Sequence, residues 1–296
     1  MQASWMVLGT FFFSLMAVGI KYASQSFGTL EILFYRGLVA MVFMGTVLAV
    51  RRIDWRTPVP MLHVSRSAAG VFAMGTWFYA IAQLPLATAM TLNYTSSVWI
   101  AAFIVGGALL YGNAPQRQGP LLAAVLMGFV GVLMALRPTM DHTQLFAGLV
   151  GMMSGMGAAL AYMQVTALGK AGEPEERVVF YFSVGTTLVG LVGMLAGGIT
   201  TWSSVRWQDA AWLIPIGVLA SLGQWSLTRA YRQGATLVVA NLQYSGIVFA
   251  SLFSVVLFND TIPVLGWLGI ALIVVSGILA TVLRTRALPQ TPAEDH

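Results

Sequence analysis

Ten long apolar stretches leave this chain few ways to fold. They occupy 5–23, 29–50, 65–84, 87–111, 119–136, 145–168, 178–199, 210–230, 236–258 and 262–283. About 20 apolar residues cross a bilayer core as a helix. Hydrocarbon offers the backbone no partners, so each stretch is expected to satisfy its own hydrogen bonds as a helix. Charged residues make up 8% of the chain and hydrophobic ones 58%, too little charge to clothe a water-soluble surface. The 31 glycines suit close helix packing in lipid. The sequence therefore predicts an all-α integral membrane protein in contact with lipid. The first stretch lacks a basic leader and is too long for a signal-peptide core, so it reads as the first span. The segment 285–296 is polar and contains proline, and is expected to be a disordered tail.

Basic residues set the expected orientation. Eleven Lys and Arg fall in loops on the side of both termini and three on the other side, with Arg36 inside the second span. That bias places both termini in the cytoplasm. The chain also repeats itself at an offset of 150 residues: Ala80 matches Ala230, Gln83 matches Gln233, Leu92 matches Leu242, and Tyr94 matches Tyr244. Val98 and Val248, Phe103 and Phe253, and Val105 and Val255 continue the series. Repeated polar and aromatic identities inside spans point to an internal repeat. Ten spans then divide into two units of five, 1–144 and 145–284. Five is odd, so the second unit enters the membrane from the opposite side. Two inverted five-helix repeats are the architecture of alternating access around a midplane site.

The fourth span carries TAMTLNYTSSVWIAAF at 88–103, and the ninth carries VVANLQYSGIVFASLF at 238–253. Polar groups facing only lipid would lack partners. Thr91, Asn93, Tyr94, Asn241, Gln243 and Tyr244 are therefore expected to line a substrate cavity at the repeat interface. The alternative is interhelical hydrogen bonding, worth about 0.6 kcal/mol each. Thr and Ser can bond their own backbone; the amides of Asn93, Asn241 and Gln243 balance evenly between the two readings. Deep aromatics extend the expected lining with Tyr79, Trp99 and Tyr162, joined by Gln164; Trp77 is deep as well. Packing against neighbouring helices accounts for any one ring slightly better. Lys21, Glu31 and Arg36 lie in the outer third of the first two spans. They are expected to form an outer mouth or gate that attracts a carboxylate, with pairing of Arg36 to Glu31, or snorkelling, as the structural alternative. His63, near Arg66 at the membrane edge, and His142, in a loop, read as solvated. Gly151, Gly155, Gly185, Gly190, Gly193 and Gly197 read as packing faces.

Several functions are disfavoured. Cysteine is absent, which removes disulfides and thiolate metal sites. No span carries a mid-membrane His or acidic pair, so neither an intramembrane enzyme nor a carboxylate proton relay is expected. No phosphate-binding loop is present, and no metal or cofactor is implied. The net charge of +5 belongs to orientation rather than nucleic-acid binding. Glu173, Glu175 and Glu176 read as cytoplasmic. With no Lys or Arg expected at the midplane, phosphorylated solutes are disfavoured.

The run GTFFFSLMAVGIK at 9–21 is similar to the first-helix pattern of the drug/metabolite transporter superfamily, EamA type. LEILFYRGL at 30–38 resembles that family's second-helix arginine segment, and the cores of spans four and nine and Gly128, Gly131 and Gly277 fit too. The aromatic-rich spans look most like YddG-type exporters. Tyr111-Gly112-Asn113 stands where the family often has Gly-Glu-Arg, so no role of that acid is carried over. The resemblance implies ten helices in two inverted repeats, cytoplasmic termini and a bacterial inner membrane. It implies export or exchange of small solutes, first aromatic and other neutral amino acids, otherwise a drug, vitamin or nucleotide precursor. The protein would act as a monomer or weak homodimer.

Overall fold

The computed structural model describes residues 2–96, 98–100, 102–103, 106, 123, 126–128, 130–131, 134, 142–233 and 242–287. Its helices are α1 (Gln2–Ala23), α2 (Thr29–Val50), α3 (Pro60–Gln83), α4 (Leu86–Tyr94), α5 (His142–Lys170) and α6 (Glu175–Gly197). After a 3-10 turn at Trp202–Ser204 come the one-turn α7 (Trp207–Ala210), α8 (Leu213–Gln233), α9 (Ser245–Phe258) and α10 (Val264–Ala287). No strand occurs among the described residues. Among the described residues, five segments are long and apolar enough to cross a membrane: Ser4–Ala23, Thr29–Val50, Gln144–Lys170, Glu175–Gly197 and Trp207–Ala230. Most of the expected fifth span, the first residues of the ninth, Tyr111-Gly112-Asn113, Asn241 and 288–296 lie outside the described residues.

Local chemistry sets the boundaries. Pro60 opens α3 at a position where its missing N–H costs nothing, five residues before the expected start at 65. Ser65, Arg66 and Ser67 therefore lie inside the helix. Leu84 is extended (φ −112°, ψ 162°), as a residue before proline prefers, and Pro85 turns the chain straight into α4. Asn259 closes α9 in the left-handed region at φ 49°. Two expectations are corrected at helix ends. His142 opens α5 rather than sitting in a loop, and α10 continues through Thr285 to Ala287.

The helices pack in antiparallel pairs. Arg51, just past the end of α2, meets Glu176 at the start of α6, while Glu31 at the start of α2 meets Thr200 beyond the end of α6. Helix α1 runs against α8, with Trp5 on Trp225 at one end and Gly19 on Trp212 at the other. Helix α3 runs against α5, where Gly157 touches Ala73 and Gly151 touches Ala80. Helix α4 runs against α9, through the Ala87 amide on Ser254 and the Tyr94 ring on Gly246. The expected small-residue faces are seen at Gly185, packed on Ser67, at Gly190 on the Phe34 backbone and at Gly193 on Leu30; Gly197 has open space instead. Large apolar side chains such as Val64, Val192, Leu195 and Val248 point outward, as a lipid-facing surface requires.

The α4–α9 contact depends on Gly246, where an added methyl would run into the Tyr94 ring. Gly246→Ala should destabilise the protein by about 1–3 kcal/mol through overpacking. Gly197→Ala, into open space, should stay within about 0.5 kcal/mol of wild type. Thermal melts in detergent read both; equal melting would contradict the packing described.

Candidate functional site

The spans that hold α4 and α9 both tighten at matching places. Helix α4 ends at Tyr94, and Thr95 forms a turn whose amide bonds the Leu92 carbonyl at 3.2 Å. In the partner span Tyr244 forms the turn from which α9 begins, its carbonyl accepting the Ile247 amide at 3.0 Å. The sequence repeat had paired Tyr94 with Tyr244. Interrupted helices at membrane depth are where transporters build binding sites.

Beside the first turn lies a cavity of about 40 Å³, room for a few waters rather than a metabolite. Helix α3 supplies Arg66, Gly70, Met74 and Trp77, and α4 supplies Asn93 and Tyr94. Tyr162 with Ala158 and Ala161 comes from α5, Phe182 from α6, Gln224 from α8 and Phe13 from α1. Rings and methyls dominate, with a few polar groups among them, the composition of a small-molecule site.

One arginine, Arg66, lines it, and a second, Arg36, shares the Phe182 ring with it. Arg36 and Arg66 are 1% and 3% exposed. Their guanidinium carbons lie 5.1 Å and 4.0 Å from the centroid of the Phe182 ring. Arg66 Nη2 donates to Gln224 Oε1 at 3.2 Å, and Arg36 Nη1 to Thr186 Oγ1 at 3.4 Å. A helical side chain ordinarily leans toward the helix N-terminus. Arg66 leans the other way, because Gly70 leaves the space that its Nη1 occupies. Its head thus reaches the level of residue 70, about 15 Å along a helix about 36 Å long. Arg36 likewise reaches Thr186, the middle of α6.

This corrects three expectations. Cations do stand near the midplane, so the argument that disfavoured phosphorylated solutes loses its premise. Arg66 is not a loop residue. Arg36 neither snorkels outward nor pairs with Glu31, whose Oε2 accepts from Thr200. The signal missed was Pro60: a helix starting there carries Arg66 two turns inside. Phe182 and Gln224 carried no signal, since a lone Phe or Gln in an apolar span reads as filler.

The other expected site residues divide. Asn93, 7% exposed, lines the cavity and donates to Ser154 Oγ at 3.2 Å; Tyr94 and Tyr162 line it too. Gln243 is 1% exposed and donates to Ser96 Oγ at 3.3 Å, joining the two spans rather than lining the cavity. Thr91 bonds the Ala87 carbonyl of its own helix at 2.7 Å. Tyr244 is buried in the core, Gln164 is half-buried on α5, and Trp99 is half-buried against Phe103. Tyr79 and Glu31 line a separate open groove of about 800 Å³ between α2, α3, α5 and α6. Lys21 donates to the Leu84 carbonyl at 2.7 Å and lies 4.0 Å from Asp260.

Clasps close both ends. On the side of the N-terminus, Glu173 accepts from Thr57 Oγ1 at 2.8 Å, from His63 Nε2 at 3.2 Å and from Arg177 Nη1 at 3.1 Å. Arg51 reaches Glu176 at 2.6 Å. His63, Glu173, Glu175 and Glu176 are all buried, which corrects the solvated reading of His63. On the opposite side, Asp209 accepts from Ser26 at 2.5 Å and from Arg206 Nε at 2.9 Å, and Arg206 also bonds Gln25.

An all-helical membrane bundle with a polar pocket at the break of a span is the build of a solute carrier. The chain belongs to the EamA-like transporter family of the drug/metabolite transporter superfamily, whose family model matches residues 1–137. It is 31% identical over 273 residues to the pseudopaline exporter CntI of Pseudomonas aeruginosa, covering 92% of this chain and 93% of the relative. An uncharacterized transporter of Helicobacter pylori is 27% identical over 282 residues, covering 93% of each chain. A riboflavin transporter of Vibrio cholerae is 25% identical over 293 residues, covering 96% of this chain and 94% of its own. A solved crystal structure shares the fold with a TM-score of 0.68 at 17% identity, over 95% of this chain and 98% of the other.

Burial alone would raise the Glu173 carboxyl, but hydrogen bonds from Thr57, His63 and Arg177 outweigh it and hold it below the ordinary carboxylate range. A value depressed by folding stabilises the clasp above the unfolded value, about 4.3, and that contribution is lost as pH falls through the folded value. Glu173→Gln should therefore cost about 1–3 kcal/mol near neutral pH. The gap to wild type should close in acid, as melts across a pH series would show.

Proposed function

We propose that the protein is an alternating-access carrier of the bacterial inner membrane, both termini cytoplasmic, that exports or exchanges small amphipathic metabolites. The observation that carries this is the small cavity beside the turn at Thr95, where buried polar tips stand among aromatic rings between two clasped ends. Two inverted five-helix repeats, 1–144 and 145–284, account for the packing. Exchange of the two units turns the α1–α8 pair into the α5–α3 pair, and the mates α2/α6 and α4/α9 run antiparallel. The same exchange turns one clasp, the α2–α3 connection on the α5–α6 connection, into the other, the α6–α8 connection on the α1–α2 connection.

The solute combines an apolar body with a polar end. Pseudopaline, riboflavin and neutral amino acids are the first candidates, from the relatives and from the sequence. Amino acids suit the rings of Phe13, Trp77 and Phe182, but their ammonium group would face Arg66 with no carboxylate among the described lining residues. The carrier has no cofactor or metal, works without nucleic acid, and acts as a monomer or weak homodimer.

Counterflow in proteoliposomes tests the reading. Labelled solute should exchange through wild type, and Asn93→Ala or Trp77→Phe should slow exchange about tenfold or more while melting stays near wild type. Gln243→Ala should act mainly by lowering the melting temperature. With no embedded carboxylate in reach of the cavity, a pH gradient alone should not accumulate solute; strong accumulation by that gradient would refute passive or exchange transport.

A further inference from the structure

The cavity holds only one kind of unmet demand. Arg66 Nε and Nη1, Trp77 Nε1 and the Tyr94 hydroxyl are buried at its wall without a hydrogen-bond partner, and Arg36 Nε is unpartnered behind Phe182. Every one of these groups can donate, and the tyrosine hydroxyl alone can also accept. Among the described residues neither arginine makes an ion pair, since the acids are committed elsewhere: Glu173 to His63 and Arg177, Glu176 to Arg51, Asp209 to Arg206, Asp260 to Lys21. A buried cation without a counter-ion is strongly unfavourable unless something else supplies the charge.

The geometry points to the solute as that counter-ion: this carrier moves organic anions, recognised by one carboxylate seated on Arg66, Trp77 and Tyr94, with an apolar or aromatic body against Phe13 and Met74. The inference rests on the transport reading and narrows its substrate class. A carboxylate only accepts, at about four lone-pair sites, which matches the four unpartnered donors of the wall. Nη2 has a second hydrogen beside the one given to Gln224, and with the hydrogen of Nε or Nη1 it forms the parallel pair that grips a planar carboxylate. The Phe182 ring neighbours both cations, and it lines the cavity together with Arg66. A zwitterion would bring an ammonium group into a positively charged, donor-rich pocket, and an amine would be repelled outright.

An anionic solute also supplies its own driving force. The inside-negative membrane potential favours exit of each negative charge roughly fifty-fold per 100 mV. Export then needs no proton relay, in keeping with the lack of a carboxylate among the described lining residues.

The test uses the full chain and four probes with one benzene body: 3-phenylpropionate, phenylalanine, phenethylamine and phenyl phosphate. Thermal stabilisation in detergent and flux in proteoliposomes under an imposed potassium diffusion potential are the two readouts. Wild type should be stabilised by 3-phenylpropionate at concentrations about tenfold or more below those for phenylalanine. Its efflux should speed up when the inside is negative. Arg66→Gln should abolish the preference and leave the melting temperature of the ligand-free protein unchanged or higher, because an unmatched buried charge has been removed. Arg66→Lys should keep the preference for anions but weaken it about tenfold through loss of the fork. Preference for phenylalanine, phenethylamine or phenyl phosphate overturns the inference. So do stabilisation by none of the probes and an Arg66→Gln protein that melts much lower yet keeps its selectivity. Flux of phenylalanine that ignores both the potential and Arg66→Gln would sink the anion inference and leave transport standing. Folded protein that moves none of the probes nor any amino acid or riboflavin would remove the transport reading itself.

Discussion

Two guanidinium groups kept from water, with no ion pair to either among the described residues, are the constraint around which this bundle is arranged. A charge at the centre of a membrane helix costs about 2.5–3.5 kcal/mol on insertion scales. The protein offsets part of that with one ring. Phe182 takes Arg36 on its α2 side and Arg66 on its α3 side, and a desolvated cation–π contact is worth about 2 kcal/mol or more. Thr186 and Gln224 each accept one further hydrogen bond. Helix α6 must therefore lie close to α2 and α3 at once, and the glycine contacts at Gly37, Gly185 and Gly190 are what allow it. The donors left over face the cavity. Packing and site are in this sense one arrangement, since the side chains that make the core tight are those that keep the charge unmatched.

The helices were legible because hydropathy is a property of the segment alone. The expected boundaries of α2 agree with the structure, and those of α1, α5, α6 and α10 lie within a few residues of it. The polar centre of span four was legible for a related reason: Asn93 and Tyr94 in an apolar run demand partners wherever the helix sits. Which partners they take was not legible. Gln243 looked like the match of Asn93, yet it spans to Ser96 while Asn93 spans to Ser154, because the depth and azimuth of each side chain depend on neighbours far away in sequence. Arg66 shows the limit most plainly. The apolar stretch starts at 65, so it placed Arg66 at the membrane edge. The direction in which its side chain leans was decided by the missing side chain of Gly70 and by a ring more than 100 positions away. His63 was misread as solvated for the same reason, since its burial depends on Glu173, 110 positions away.

The two clasps are not equal, and the inequality bears on how a carrier of this build would cycle. On the side of the N-terminus the network centres on Glu173, whose side chain is 1% exposed and whose three donors come from α3, from its preceding loop and from α6. Breaking it strands a buried carboxylate, which is costly. On the opposite side the principal cation, Arg206, is half exposed, and an exposed pair contributes about 0–1 kcal/mol. Asp209 and Glu31 there are held by hydroxyls from Ser26 and Thr200, which water can replace. With both clasps made, about 40 Å³ remains around Arg66, so loading requires one of them to part. In the proposed orientation the weaker clasp faces outside and would part more readily in the empty protein, and opening inward would need the additional free energy that a solute on the arginines provides. Under the proposed export the solute binds from inside, and a pocket whose charge is satisfied only when filled would tie the opening of the stronger clasp to the arrival of cargo.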